Sequence, residues 1–508
     1  MAQIPEKIYA EASVRSVGQV SLFESTEPIT HRNVNAFYSE SQMIDAARER
    51  LLREGFEVLQ ADETTLTIAA APEVYRKVFK TEIIAQDRRV VKAFGKRTTA
   101  TFLDSPDTGI QGLIDTKKSV LADLIEGVAL NEPVYFFASP FAPAMDYWHL
   151  DVPGDVALGL NASRAHRAGH SGRDIEVVMV DSGWFRHPFF VERGYNVRPV
   201  VLGPAAENPE HDEHGHGTGE SANIFSVAPD AVLTMVKINF INAVGAFKAA
   251  VRLAPDIISC SWGNSRPEPP LSAADKALAA AVASAVAKGV IVVFSAGNGQ
   301  FGFPGQHPDV IAAGGAFLHR DGKIEASAYA SGFESRIYPG RRVPDVCGLV
   351  GQPPRARYIM LPVEPGDRID RTSAGGVHPA KDETGKNDGW ASFSGTSAAA
   401  PQIAGICALL KQANPEMGPS GAKEILAKTA RDVTAGECHS GTGGHRAAKG
   451  PDLATGHGLA DAHRAVLIAR LRHMVGGTAG HRTREQQITE REIEQFESLV
   501  LGSENQIS

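Results

Sequence analysis

Residues 174–183 read DIEVVMVDSG. IEVVMV, 175–180, is an apolar run without the polar alternation of a half-solvated strand, which is the pattern of a strand buried on both faces of a parallel sheet. VLTMVKI (232–238), DIISCSW (256–262) and VIVVFSA (290–296) repeat the theme. Two helical stretches, AVGAFKAAVRLA (243–254) and SAADKALAAAVASAVAKG (272–289), separate the last three. Strand and helix in alternation over about 156–470 predict an α/β domain with a doubly wound, mostly parallel sheet.

In such a sheet the functional groups collect beyond the carboxyl ends of the strands. The first strand ends in Asp181-Ser182-Gly183. Alone, that aspartate reads equally well as a turn residue. HDEHGHGTGE (211–220) has the look of a metal cluster, but it lacks a helical His-x-x-x-His pair and its glycines would leave ligands loose. His216 reads instead as a histidine at a helix start, with small neighbours that allow close approach. SAGNG (295–299) follows the strand VIVVF and places Asn298 either in a turn or as an amide aimed at an oxyanion. GWASFSGTSAAAPQIAG (389–405) sets Ser397 at the mouth of an alanine-rich helix, with Pro401 expected in the first turn, where a missing N–H costs little. Ser397 alone would pass for an N-cap. Asp, His, Asn and Ser, each at a glycine-flanked exit from an apolar segment, make a purely structural reading hard to sustain.

The bulk properties bound the partners. The chain has 508 residues, 43% hydrophobic and 22% charged, with a net charge of -8. A net-acidic chain argues against a nucleic-acid or anionic-membrane partner. No stretch approaches a membrane span. The four cysteines (Cys260, Cys347, Cys407, Cys438) are too scattered for a zinc site or a disulfide framework and read as buried small hydrophobes. The opening MAQIPEKIYAEASVRS has no apolar signal region. A cytoplasmic location is therefore expected, with leaderless export as the other route.

Residues 1–130 read as a separate, small α+β domain. VRSVGQVSLF (14–23) is its first strand, SQMIDAARERLLREG (41–55) a helix capped by Ser41, FEVLQ and TLTIAAA (56–60, 64–70) two strands, and PEVYRKVF (72–79) a second helix. Residues 131–155, rich in Pro and aromatics, read as a linker, 156–474 as the main domain, and 475–508 as a charged helical tail.

The motif set resembles the subtilisin-like serine proteases, the subtilases: VVMVDSG (177–183), GHGTG (215–219), VAPDA (227–231), ISCSWG (258–263), SAGNG (295–299), SFSGTSAAAP (392–401) and GHGLADAHRAV (456–466). The resemblance implies a serine endopeptidase acting on polypeptide substrates. Ser397 would be the nucleophile, His216 the general base, Asp181 its orienting carboxylate, and Asn298 an oxyanion donor. Ser261, Trp262 and Gly263 would pair with an extended substrate backbone, with Trp262 constraining a side-chain pocket. The N-terminal domain resembles the ferredoxin-like propeptides of these enzymes. It would then be an intramolecular inhibitor of an autoprocessed zymogen, cut within YFFASPFAPAMDYWHL (135–150). The alternative is a protein-binding module on an inactive or permanently inhibited protease scaffold.

Two departures qualify the resemblance. After His216 the chain reads GTGESANIFSVAP, so Glu220 interrupts a segment usually apolar and is expected to face solvent; the calcium-bearing loop is missing, and no metal or cofactor is expected. RIDRTSAGGVHPAKDETGKNDGW (368–390) is an insertion just before the nucleophile, expected to be a solvated loop rather than a flap over the cleft.

Overall fold

The computed structural model describes residues 3–92, 96–136, 138–139, 148–353, 357–376, 381–477, 495 and 497–498. The apolar runs form the expected sheet. Glu176–Asp181 lies at its centre, with Val232–Lys237 on one side and Ile257–Cys260, Ile291–Ser295 and Ile311–Leu318 in order on the other, all parallel. Chain order reverses at Glu176–Asp181, so a crevice opens beyond its carboxyl end. Short strands complete nine, among them Val346–Leu349 beside Ile311–Leu318.

Each face of the sheet buries one apolar layer. One layer is built on Ala243–Arg252 and Ala273–Ala287. The other is built on His216–Val227 and Thr396–Ala413, a helix buried on nearly every side. Small residues make that burial possible. A Cβ on Gly405 would come 2.8 Å from Val227, and one on Gly348 would meet Ala399 at 2.8 Å. All four cysteines are buried and unpaired with one another. Among the described residues no helix is long and apolar enough to cross a membrane.

The N-terminal segment forms an antiparallel sheet in the order Glu57–Ala61, Leu66–Ala70, Ile8–Val14, Ile125–Leu130, Leu113–Ile114. Its helices are Ser41–Arg53 and Pro72–Phe79. The first strand is Ile8–Val14, not 14–23. IYAEASV is buried at all but one position, whereas Ser16–Val20 closes a turn through the Ser16 hydroxyl. Ser41 is the first helical residue rather than a cap, and the residue before it, Glu40, makes no side-chain capping bond. A hairpin, Ile84–Lys92 against Lys96–Asp104, is inserted before the closing strand.

The segment 131–155 is tied down at several points. Asn131, Glu132 and Val134 are buried. Tyr135–Phe136 pairs antiparallel with Trp262–Gly263, and Ala138–Ser139 pairs antiparallel with Ser394–Gly395. Trp148–Asp151 then joins Arg357–Pro362. Most of the tail expected over 475–508 lies outside the described residues, as do 137 and all of 140–147. The helix Ala462–Gly477 precedes that tail, and Glu497 pairs with Arg472 at 2.7 Å and Lys428 at 3.3 Å.

Candidate active site

Four loop ends meet beyond the carboxyl edge of the sheet. Asp181 is the last residue of its strand and is fully buried. Its Oδ1 accepts from Ser182 N and pairs with His216 Nδ1, both at 2.7 Å. His216 opens its helix after Gly215, whose φ of 89° lies in the left-handed region that favours glycine. Gly217 must be small, because a Cβ there would fall 2.3 Å from the carbonyl oxygen of Gly183. The helix start is held by Asp212, whose Oδ2 accepts from Thr218 N and Oγ1 and whose Oδ1 accepts from Gly215 N and the Ser182 hydroxyl. The sequence reading passed over Asp212. Its signal was an acid just ahead of a helix start, where free N–H groups seek an anion.

Burial pushes the imidazole of His216 toward neutrality. The charge and hydrogen bond of Asp181, with the carboxyls of Glu220 and Asp212, outweigh it and raise the pKa above the usual value. The neighbouring histidines are otherwise engaged. His211 pairs with Glu364 at 2.7 Å, and burial together with His216 pushes His214 down to about 4. Among the described residues no group of three His, Cys, Asp or Glu side chains is arranged to hold a metal ion.

Ser397 is the second residue of the helix Thr396–Ala413 and is fully buried. Gly395 delivers it with φ 126°. Pro401 lies beyond the first turn, not within it, and this has a local consequence. A residue at 401 would ordinarily donate to the carbonyl of Ser397. Proline cannot, and the Ser261 hydroxyl donates to that carbonyl instead, at 2.8 Å. The Ser397 hydroxyl donates to the carbonyl of Ser261 at 3.2 Å. Phe393, on the strand leading to Ser397, stacks on the ring of His216 with centroids 6.2 Å apart.

Asn298 stands between Gly297 and Gly299, both with positive φ (115° and 89°). Its Oδ1 accepts from Thr396 N at 3.0 Å and from the Thr396 hydroxyl at 3.1 Å. That fixes the amide beside Ser397 and leaves Nδ2 buried without a partner. Gln300 and Ser331 hold the loop through Asn298 N and Gly299 N.

Three expectations need correction. Trp262 constrains no side-chain pocket. Ser261, in the break between the strands Ile257–Cys260 and Trp262–Ser265, meets Ser397, while Trp262 enters the core, donating to the carbonyl of Val180 at 2.8 Å and packing edge-on to Phe294. Only the backbone of Trp262–Gly263 serves as an open edge, and Tyr135–Phe136 occupies it. Glu220 does not face solvent: it is fully buried, with Oε1 3.9 Å from His216 Nε2. The insertion is also more ordered than a solvated loop. It contains the helix Arg368–Ser373, with Arg368 N and Ile369 N donating to the carbonyls of Glu213 and His214. Residues 377–380 of it lie outside the described residues.

Comparisons with known proteins agree with this architecture. A family model described as the subtilase family matches residues 107–458. Subtilisin Savinase of Lederbergia lenta is 25% identical over 301 residues, 56% of this chain and 92% of that one. M-protease of Shouchella clausii (strain KSM-K16) is 25% identical over 298 residues, covering 55% of this chain and 64% of the relative. The match thus spans a little under two thirds of M-protease. Among solved structures, fervidolysin from Fervidobacterium pennivorans, described as a keratinolytic enzyme related to subtilisin, superposes with a TM-score of 0.55 at 15% identity, over 92% of this chain and 62% of that one. At that identity the likeness speaks for the fold.

Proposed function

The chain belongs to the subtilase family, and on that premise we propose that it is a serine endopeptidase whose nucleophile is Ser397. The observation that carries this reading is the buried Asp181–His216 pair at 2.7 Å, packed against the strand that delivers Ser397, with the Asn298 amide fixed at Thr396 and its Nδ2 unpartnered. A serine hydroxyl is a weak nucleophile near neutral pH and needs an adjacent base. In the attacking state the Ser397 hydroxyl turns from the Ser261 carbonyl to His216 Nε2, which takes its proton. Asp181 holds the proton on Nδ1, fixes the tautomer and stabilises the imidazolium. Asn298 Nδ2 and the Ser397 N–H, at a helix N-terminus, receive the oxyanion. His216 then protonates the leaving amine, and water repeats the cycle on the acyl-enzyme.

A polypeptide substrate adds a strand to the open edge at Trp262–Gly263. In this chain Tyr135–Phe136 takes that place, and Ala138–Ser139 pairs with the residues just before Ser397. These pairings support the reading of the N-terminal domain as an intramolecular inhibitor, released by a cut in the 131–155 segment. Intact mass tests both parts together. Wild type is expected to lose an N-terminal piece of roughly 14–16 kDa, the size of a small domain plus linker, and Ser397→Ala to remain full length. Identical processing of the two would refute self-cleavage.

A further inference from the structure

Glu220 lies one helical turn beyond His216, on the same face of the helix. It is fully buried. Its Oε2 accepts from Asn223 Nδ2 at 2.9 Å, and Asn223 Oδ1 accepts from Gln402 Nε2 at 3.0 Å. Gln402 is anchored in turn, receiving Leu349 N at 2.7 Å and donating to the Leu349 carbonyl at 3.0 Å. Asn223 of the same helix, braced by Gln402 of the nucleophile helix and the backbone of a core strand, therefore holds one oxygen of the carboxyl. The other, Oε1, has no hydrogen-bond partner and stands 3.9 Å from His216 Nε2. A buried carboxyl without a compensating role is costly, and an apolar residue would pack there at no such cost.

We propose that Glu220 is a positioning residue acting through His216: a second carboxyl, on the Nε2 side opposite Asp181, that sets the pH at which the imidazole gives up its proton and becomes a base. Its consequence for rate rests on the hydrolase reading above; its geometry does not. The groups around the pair come from every element packed on it. Asp181 acts on both from the central strand, Asp212 and His214 act on the imidazole from the preceding loop, and Tyr329, buried in the same cluster as this helix, feels the charge of Glu220. Burial pushes Glu220 up to about 8 against the pull of His216, and the Glu220 carboxyl raises the imidazole in turn, so the two protonations are linked. A carboxylate beside Nε2 favours the imidazolium. It therefore moves the onset of base catalysis toward higher pH, and removing it moves the onset down.

The test is a titration of the His216 ring, followed by NMR in the full chain. Ser397→Ala serves as the background to keep the protein intact, and the resonance is identified by its loss in His216→Ala. Glu220→Gln keeps the bond from Asn223 and removes the charge. Its His216 midpoint is expected to fall by about one pH unit, and the broad, paired titration to become a single sharp one. An unchanged midpoint and shape would overturn the proposal. Should Glu220→Gln lack a cooperative melt, Glu220→Met removes the same charge and is read the same way. A fluorophosphonate labelling rate against pH, in the active chain, should show the same acid shift. If the chain is never labelled while the His216 midpoint still shifts, the hydrolase reading falls and this one stands.

Discussion

Asn298 is held by its own oxygen. Thr396 takes that oxygen through two bonds, and Nδ2 is left buried without a partner. Asn298→Ala removes the donor without touching the Asp181–His216 pair. The expected loss is roughly 10²–10³ in kcat with little change in KM, the magnitude known for removal of one oxyanion amide in a serine protease of this fold. Equal effects on KM alone would place Asn298 in ground-state binding instead. Asp367 makes a second prediction at this scale. Its Oδ2 is buried without a partner, against Gly215, and burial pushes the carboxyl up to about 8 despite the bond from Asp370 N. Between its unfolded and folded values the carboxyl keeps its proton only in the folded chain, so stability falls as pH rises through that window. Asp367→Asn should melt higher than wild type at pH 8, by on the order of 2 kcal/mol, and show no such gain at pH 4. A gain independent of pH would contradict the assignment.

At the scale of elements, the Ser261–Ser397 link and Pro401 form one device. Ser261→Ala strands the carbonyl of Ser397, because residue 401 has no N–H to offer it; the expected cost is about 1–3 kcal/mol. Pro401→Ala restores an N–H at the right place. In a double-mutant cycle, Ser261→Ala should cost less in the Pro401→Ala background, and strictly additive melting data would refute the link. The same elements show what was legible in the sequence. The parallel strands were, because a run such as VVMV at 177–180 admits one burial pattern only. The meeting of the segments that carry Asp181, His216, Asn298 and Ser397 was, because each sits in a glycine-flanked exit where a helix or strand must turn. The direction of Trp262 was not legible, because it opens a new strand after the break at Ser261 and its neighbours in the core, Val180 and Phe294, come from distant segments. Glu220 was illegible because a buried carboxyl runs against composition rules, and the amides that hold it, Asn223 and Gln402, are 179 residues apart in sequence. The hairpin Ile84–Lys92 against Lys96–Asp104 was missed because no residue of its first strand is buried.

The whole molecule is joined by more than the 131–155 segment. Lys248, on the helix Ala243–Arg252, is buried in the N-terminal sheet. Its Nζ reaches the Thr65 carbonyl at 2.7 Å, Asp62 at 3.2 Å and Glu11 at 3.4 Å. Leu22, Phe23, Ile29, Val34 and Phe37 share one apolar cluster with Ala273–Ala287. Removing one member of a buried ion pair leaves the other uncompensated, at about 3–5 kcal/mol. In a chain deliberately cut within 131–155, Lys248→Ala should therefore weaken retention of the N-terminal domain by two or more orders of magnitude in Kd, read by size exclusion or calorimetry. Unchanged retention would mean that the apolar cluster alone holds the domains together.

The central claim, that Asp181, His216 and Ser397 act together in acyl transfer, is tested most directly by a serine-reactive fluorophosphonate followed by peptide mapping. Labelling confined to Ser397, abolished in Ser397→Ala and reduced to background in His216→Ala, is the predicted result. Labelling that survives His216→Ala, or none in a chain shown to have shed its N-terminal domain, would contradict it.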